Sequence, residues 1–193
     1  MSLMTYIPSA GQSGARKYTG AVATGYDAKR DQSEKWQTEQ ALIEAMIDGF
    51  DGTVLDIPVG TGRFIPAYER NNLKWLGVDL SADMLNEAAA KATQRPTLAL
   101  GDVTKLGDLI GPKSVDYAIM CRLTRWLTDK QRVEALENLQ TATRKAIIFT
   151  ARIAEHPFAY PMDEIEKALD GWKIAENIEC AEPHYRIIRL EVV

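Results

Sequence analysis

Residues Thr53 to Phe64 read TVLDIPVGTGRF, and this stretch decides the fold. Val54, Leu55 and Ile57 are branched apolar residues of the kind that fill a short strand buried on both faces. Asp56 sits near the strand's end, and Pro58, with no N–H to donate, stops ladder pairing. Gly60-Thr61-Gly62 makes a tight turn whose bare backbone can lie flat against a ligand. A helix is expected from Arg63 to Arg70, with Pro66 tolerated in its first turn. Strand, glycine turn and helix N-terminus together form a nucleotide site with free N–H groups and a favourable dipole. A glycine pair alone is a weak signal, because such turns occur in many chains. The next strand strengthens it. Lys74 to Leu80, KWLGVDL, is apolar and carries Asp79 about 20 residues beyond the first glycine, where an acid can accept hydrogen bonds from two ribose hydroxyls.

With these segments the sequence resembles the class I S-adenosylmethionine-dependent methyltransferases. The likeness lies in VLDIPVGTGRF for their first motif, GVDLSADML for the second and LALGDV for the third. It runs in register from about Thr53 to Val103 and in element order to the C-terminus. One departure is Pro58, which stands where the usual D-x-G-x-G-x-G pattern has its first glycine; proline fits a strand end. The resemblance implies an α/β fold: a doubly wound, mostly parallel seven-stranded sheet with an antiparallel C-terminal strand pair, the Rossmann-like methyltransferase fold. It also implies S-adenosylmethionine as cofactor. Asp56, Pro58, Gly60, Thr61 and Gly62 would shape the methionine end, Asp79 would hold the ribose, and Asp102 would reach the adenine amino group while Val103 packs on the ring. Leu80, Met84, Cys121 and Tyr26 complete the expected cofactor set. Asp102 has a simpler reading as well, a strand-end acid that caps the following turn. In the small-molecule branch of the family a Tyr-Asp pair leads into a helix that lids the cofactor, and Tyr26-Asp27 resembles that pair. The alternative is a flexible leader with its tyrosines packed on the surface.

The length of 193 residues allows one domain with a sizeable core. A net charge of -4 and a pI of about 5.3 provide no global basic field to attract nucleic acid. Cys121 and Cys180 lie far apart with no metal-ligand spacing, so no metal is expected, and the pair fits a reducing cytoplasm. No apolar run reaches roughly 18 residues, so no membrane span is expected, and no signal peptide is read. Met1-Ser2-Leu3 ahead of Met4 reads as an expression-vector scar. Oligomeric state is left open.

Residues 1–30 are expected to form an irregular N-terminal arm or lid, glycine-rich yet basic and aromatic through Arg16, Lys17, Tyr18, Tyr26 and Arg30. Residues 31–193 are expected to form a single cofactor-binding domain. Asp31 is placed to cap the next helix with Glu34 as its partner. Trp36, Ile43, Met46, Ile47 and Phe50 then share one helical face, which reads as scaffold. Ser81 caps a helix whose Met84, Leu85 and Ala88 face inward. Strands follow at Thr97 to Val103, Val115 to Cys121 and Lys145 to Thr150. Thr128 and Gln131 form a capping box before the helix carrying Val133, Leu136 and Leu139. A short helix from Met162 to Leu169 precedes two strands, Trp172 to Cys180 and Tyr185 to Val193. That terminal strand pair separates a methyltransferase architecture from a dinucleotide-binding one.

In an open α/β sheet the ligand lies beyond the carboxyl ends of the strands. Candidates therefore come from Arg63, Asp79, Asp102, the segment from Cys121 to Trp126 and that from Arg152 to Tyr160. The fourth-strand exit, MCRLTRW, lacks the Asn/Asp-Pro-Pro-aromatic motif of the enzymes that methylate nucleic-acid bases, so no nucleic acid partner is expected. It offers positive charge instead. Arg122 and Arg125, joined by Arg152, suit an anionic small-molecule acceptor, because guanidinium forks bind carboxylate or phosphate in pairs; any one of them could equally pair with a surface acid. His156, near the predicted site, is a candidate base or a loop histidine with no catalytic role, and Arg122 is a candidate for contact with the acceptor. Trp126, Phe158 and Tyr160 either wall the acceptor pocket or pack in the core. The expected function is methyl transfer to a small, anionic molecule, with a non-catalytic S-adenosylmethionine or S-adenosylhomocysteine binding protein as the alternative. A nicotinamide oxidoreductase would use the same Asp79 but expects a third glycine near Phe64 or Ile65, which is absent.

Overall fold

The computed structural model describes residues 17–30, 33–155, 157 and 159–193. Among them, strands β1 (Thr53–Asp56), β2 (Lys74–Asp79), β3 (Thr97–Leu100), β4 (Val115–Met120), β5 (Thr143–Arg152), β6 (Trp172–Glu179) and β7 (Tyr185–Val192) form one sheet in the order β3-β2-β1-β4-β5-β7-β6. Its first five strands are parallel, and β7 runs antiparallel to both β5 and β6. The doubly wound sheet with an antiparallel C-terminal pair is thus the fold the sequence led us to expect. Strand order reverses between β1 and β4, and a crevice opens there past the strand ends.

Side-chain alternation along the strands divides the core between the two faces. Val54, Tyr117 and Ile148 pack with helices α3 (Glu34–Ile47), α4 (Ile65–Arg70) and α5 (Ala82–Lys91) on one face. Leu55, Ala118 and Ile147 pack on the other with α6 (Asp129–Ala142) and α7 (Met162–Lys167). The local signals hold where they are strongest. Ser81 caps α5, accepting the Met84 N–H at 3.2 Å, and the Thr128–Gln131 capping box opens α6.

Several boundaries move. The helix after the glycine turn begins at Ile65 rather than Arg63, because Thr61 to Phe64 continue as turns. β3 stops at Leu100, leaving Gly101 and Asp102 outside the ladder. Pro58 ends the strand less abruptly than its missing donor implies. On either side of it, the Ile57 N–H still donates to the β4 carbonyl of Ile119 and the Val59 N–H to the β2 carbonyl of Val78, each at 2.9 Å. The Ile57–Pro58 peptide is cis. α3 starts at Glu34 after Ser33; Asp31, expected as its cap, lies outside the described residues. Of the arm expected to be irregular, residues 17–30 contain two short helices, α1 (Ala21–Thr24) and α2 (Tyr26–Arg30). No helix of the described residues is long and apolar enough to cross a membrane.

Candidate functional site

The exits of four strands converge on one cleft. β1 supplies Asp56 to Thr61, β2 Asp79 and Leu80, β3 Gly101 to Val103, and β4 Cys121 to Leu123. Met84 and Tyr26 line the same cleft, so it gathers all of the expected cofactor set except Gly62. Gly62 does a different job. At φ 78° it turns the chain in a region that side chains avoid, and a Cβ there would stand 2.4 Å from Ile65 Cδ1 and 3.1 Å from Ala88 Cα. It lets the turn settle onto α5. Gly60, at φ 55°, has open space where its side chain would be, which keeps the cleft clear.

Three aspartates punctuate this cleft, each held differently. Asp79 accepts the Gly60 N–H at one oxygen and the Ser81 N–H at the other, both at 2.9 Å. The first of these ties the acid at the second strand's end directly to the glycine turn of the first. Burial nevertheless dominates and pushes the Asp79 carboxyl up to about 6, with the backbone donors opposing. Asp56 is buried and accepts the Tyr68 hydroxyl at 2.9 Å. Its burial, with Asp79 nearby, raises it to about 7. Asp102 does cap the following turn, accepting the Thr104 N–H at 3.0 Å, while it also borders the cleft. Cys121 contributes a thiol that burial holds well above its ordinary range, so it stands in the wall as a neutral group.

The fourth-strand exit is organised by a residue that the reading of α3 as scaffold overlooked. Glu39, fully buried, takes the Arg122 Nε–H at 2.7 Å and also receives the Arg63 guanidinium and the Tyr185 hydroxyl. Burial alone would raise this carboxyl, but Arg122 and Arg63, helped by the Tyr185 hydroxyl, outweigh it and hold it below the usual range. Trp36, one turn earlier, lines the cleft with Arg63 over its ring at 3.6 Å and Arg122 at 4.6 Å. A signal existed: Trp36, Glu39, Ile43 and Met46 share helical spacing, so an acid sits inside the apolar stripe. Arg122 itself has φ 58° and donates its N–H to Thr150 Oγ1 at 2.8 Å, which bends the chain sharply as it leaves β4.

The remaining basic and aromatic candidates divide. Arg125 borders the cleft and lies 5.0 Å over the Trp126 ring, and Trp126 is a cleft wall. Arg152 does not reach the cleft. It pairs with Glu182 and with the Pro183 carbonyl, and faces a smaller neighbouring hollow. Tyr160 is core packing beside Arg132, not a cleft wall. His156 and Phe158 lie outside the described residues.

Residues 17–30 pack against the cleft, with Tyr18, Tyr26 and Arg30 among its lining. The Thr61 hydroxyl donates to Asp27 at 2.6 Å, and Lys91 pairs with the other oxygen of Asp27. The Ser81 hydroxyl donates to the Tyr18 carbonyl at 2.6 Å, and the Gly20 N–H donates to Asp83 at 2.7 Å. Tyr26 meets Tyr18 and Trp36 edge-on, and Tyr18 meets Trp126 in the same way. Tyr18, Arg30 and Trp36 were not expected in the site. They come from segments outside the three motifs, brought in by this packing.

A seven-stranded sheet of this order, with acids at successive strand ends around a glycine turn, defines a Rossmann-like methyltransferase fold. Solved structures of similar architecture include the magnesium protoporphyrin IX methyltransferase of Synechocystis PCC 6803 with S-adenosylhomocysteine bound, at a TM-score of 0.74 and 17% identity over 95% of this chain and 100% of that one. An S-adenosylmethionine-dependent methyltransferase of Leishmania major aligns at a TM-score of 0.73 and 13% identity, over 94% of this chain and 82% of that one. In sequence, residues 54–146 match the family model described as a methyltransferase domain. The matched stretch, just under half of the chain, is similar to the class I S-adenosylmethionine-dependent methyltransferases, enzymes whose methyl donor is S-adenosylmethionine. A protein named thymidine phosphorylase, from Burkholderia cenocepacia (strain HI2424), is 24% identical over 140 residues, 72% of this chain. The matched stretch spans only 30% of that relative's length.

Proposed function

We propose that this protein transfers the methyl group of S-adenosylmethionine to a small molecule carrying a negative charge. The observation that carries the reading is the Asp79 carboxylate, tied to the Gly60 and Ser81 N–H groups at the reversal of strand order, with Asp56 and Asp102 at the neighbouring strand ends. In this reading Asp79 holds the ribose hydroxyls, Asp102 the adenine amino group with Val103 on the ring, and Asp56 the methionine end. Gly60 leaves room for the cofactor, and Leu80, Met84 and Cys121 pack around it. Residues 1–30 serve as a lid, with Tyr26 on the cofactor, over a single domain of residues 31–193.

Methyl transfer is an in-line displacement at a sulfonium carbon. Alignment of donor and acceptor is the main demand, worth up to about 7–11 kcal/mol in well-oriented systems. A base is required only when the acceptor must lose a proton. Arg122 and Arg125, which line the same cleft, supply the charge for an anionic acceptor. The two cysteines are unpaired, in keeping with a reducing, cytoplasmic setting.

Calorimetry tests the first step. The protein should bind S-adenosylmethionine and S-adenosylhomocysteine but not NAD; NAD binding with neither sulfur cofactor refutes the reading. A metabolite extract screened for methyl incorporation then tests turnover. Cofactor binding with no labelled product from any extract would instead support the non-catalytic binding protein.

A further inference from the structure

Beside the cleft, behind Arg122, lies a second, smaller hollow. Lys35, Arg122, Arg125 and Arg152 border it, together with Thr150 and Tyr185. Arg122 and Arg125 face both spaces and so form the partition between them. The charges do not cancel. Lys35 at 2.7 Å and Arg152 share the single carboxylate of Glu182. Arg122 must share Glu39 with Arg63, which stands on the cleft side. Arg125 has only the Trp126 ring and no ion pair among the described residues. Four cations therefore face two carboxylates, one of them shared with a fifth cation, in a protein whose net charge is -4. Such a local excess concentrates anions. The Arg122 Nη2 is also buried and has no hydrogen-bond partner among the described residues, which a buried guanidinium nitrogen rarely tolerates.

We propose that this hollow seats a doubly charged oxyanion of the methyl acceptor, a phosphate monoester or its equivalent, and that Arg122 bridges from there to the cleft. The inference rests on the methyltransferase reading and adds to it the class of the acceptor's anchor. An excess of at least two positive charges matches a dianion better than a single carboxylate. Forked donors from Arg122, Arg125 and Arg152 suit a tetrahedral oxyanion approached from several sides. With the anion held behind the partition, the rest of a small acceptor would extend past Arg122 and Arg125 into the cleft.

The test uses the whole protein saturated with S-adenosylhomocysteine, so that the cofactor's own carboxylate is already placed. Calorimetric titrations at constant ionic strength use inorganic phosphate and, separately, acetate. Phosphate should bind, and more tightly than acetate by about fivefold or more. The double variant Lys35→Gln/Arg152→Gln, at two positions that do not border the cleft, should lose about tenfold or more in phosphate affinity while keeping S-adenosylhomocysteine affinity within about twofold, which also reports an intact fold. Phosphate affinity unchanged in that variant, phosphate that fails to bind the wild type, or acetate bound as tightly as phosphate each overturns the proposal alone. A wild type that does not bind S-adenosylhomocysteine overturns the methyltransferase reading and this one with it.

Discussion

Each of the three cleft aspartates already has a donor in the structure, and the differences among those donors set what a mutation should do. Asp79 keeps two oxygens facing two backbone N–H groups, one from the glycine turn and one from its own strand exit. If its carboxylate also takes two ribose hydroxyls, its removal loses two charge-assisted bonds and unties the Gly60 turn. Asp102 would lose one such bond to the adenine, at about 1.5–3 kcal/mol per bond to a charged group. Asp79→Ala is therefore expected to weaken S-adenosylhomocysteine binding more than Asp102→Ala. Titration calorimetry on both variants checks this, and equal or reversed losses would show the strand-end acids misassigned.

At the scale of elements, the arm is the piece with the most to explain. Its two helices have four and five residues, too short to persist alone, so their order depends on what they touch. What they touch is the site. Asp27 receives Thr61 and Lys91, Tyr18 receives Ser81, and Asp83 receives Gly20. Both Thr61 and Ser81 adjoin residues of the proposed cofactor contact, so filling the cleft should steady the arm's anchors. Limited proteolysis is expected to cut near Gly20 or Gly25 in the free protein and to slow when S-adenosylhomocysteine is added. Cleavage at the same rate in both would return the arm to a plain leader.

Over the whole molecule, two buried acids tilt stability with pH. Asp56 is raised to about 7 and Asp79 to about 6, chiefly by burial, whereas the same side chains in the unfolded chain titrate near 3.8. The folded state thus holds two protons that the unfolded state has released. Their contribution favours folding most fully in acid, below about pH 4, and is lost as pH rises through 6 and then 7. Surface acids held low, such as Asp116 beside Arg144, act in the opposite sense but below this window. The melting temperature should therefore fall between pH 5 and pH 8, and Asp56→Asn, which removes the titration but keeps an acceptor for Tyr68, should flatten much of that fall. Calorimetric melting of both proteins at the two pH values decides it. A wild-type melting temperature that rises or stays level over that range would mean that neither acid is held protonated.

The sequence by itself determined the framework: a strand, a glycine turn and strand-end acids at a characteristic spacing, then a terminal strand pair. Those features were legible because each rests on neighbours within one element or on the next strand, where periodicity and turn chemistry act over a few residues. Asp56, Gly60, Asp79 and Asp102 could be placed at the strand exits for that reason. Only the tertiary structure decided that Gly62 serves packing against α5, that Arg152 turns aside to Glu182, and that Glu39 joins α3, the glycine turn, the β4 exit and β7 through Arg63, Arg122 and Tyr185. These partners lie between 24 and 146 residues from Glu39. Helical spacing marks which side of α3 is buried but not which charges wait there, because burial of a carboxylate is tolerated only once distant cations have been folded around it.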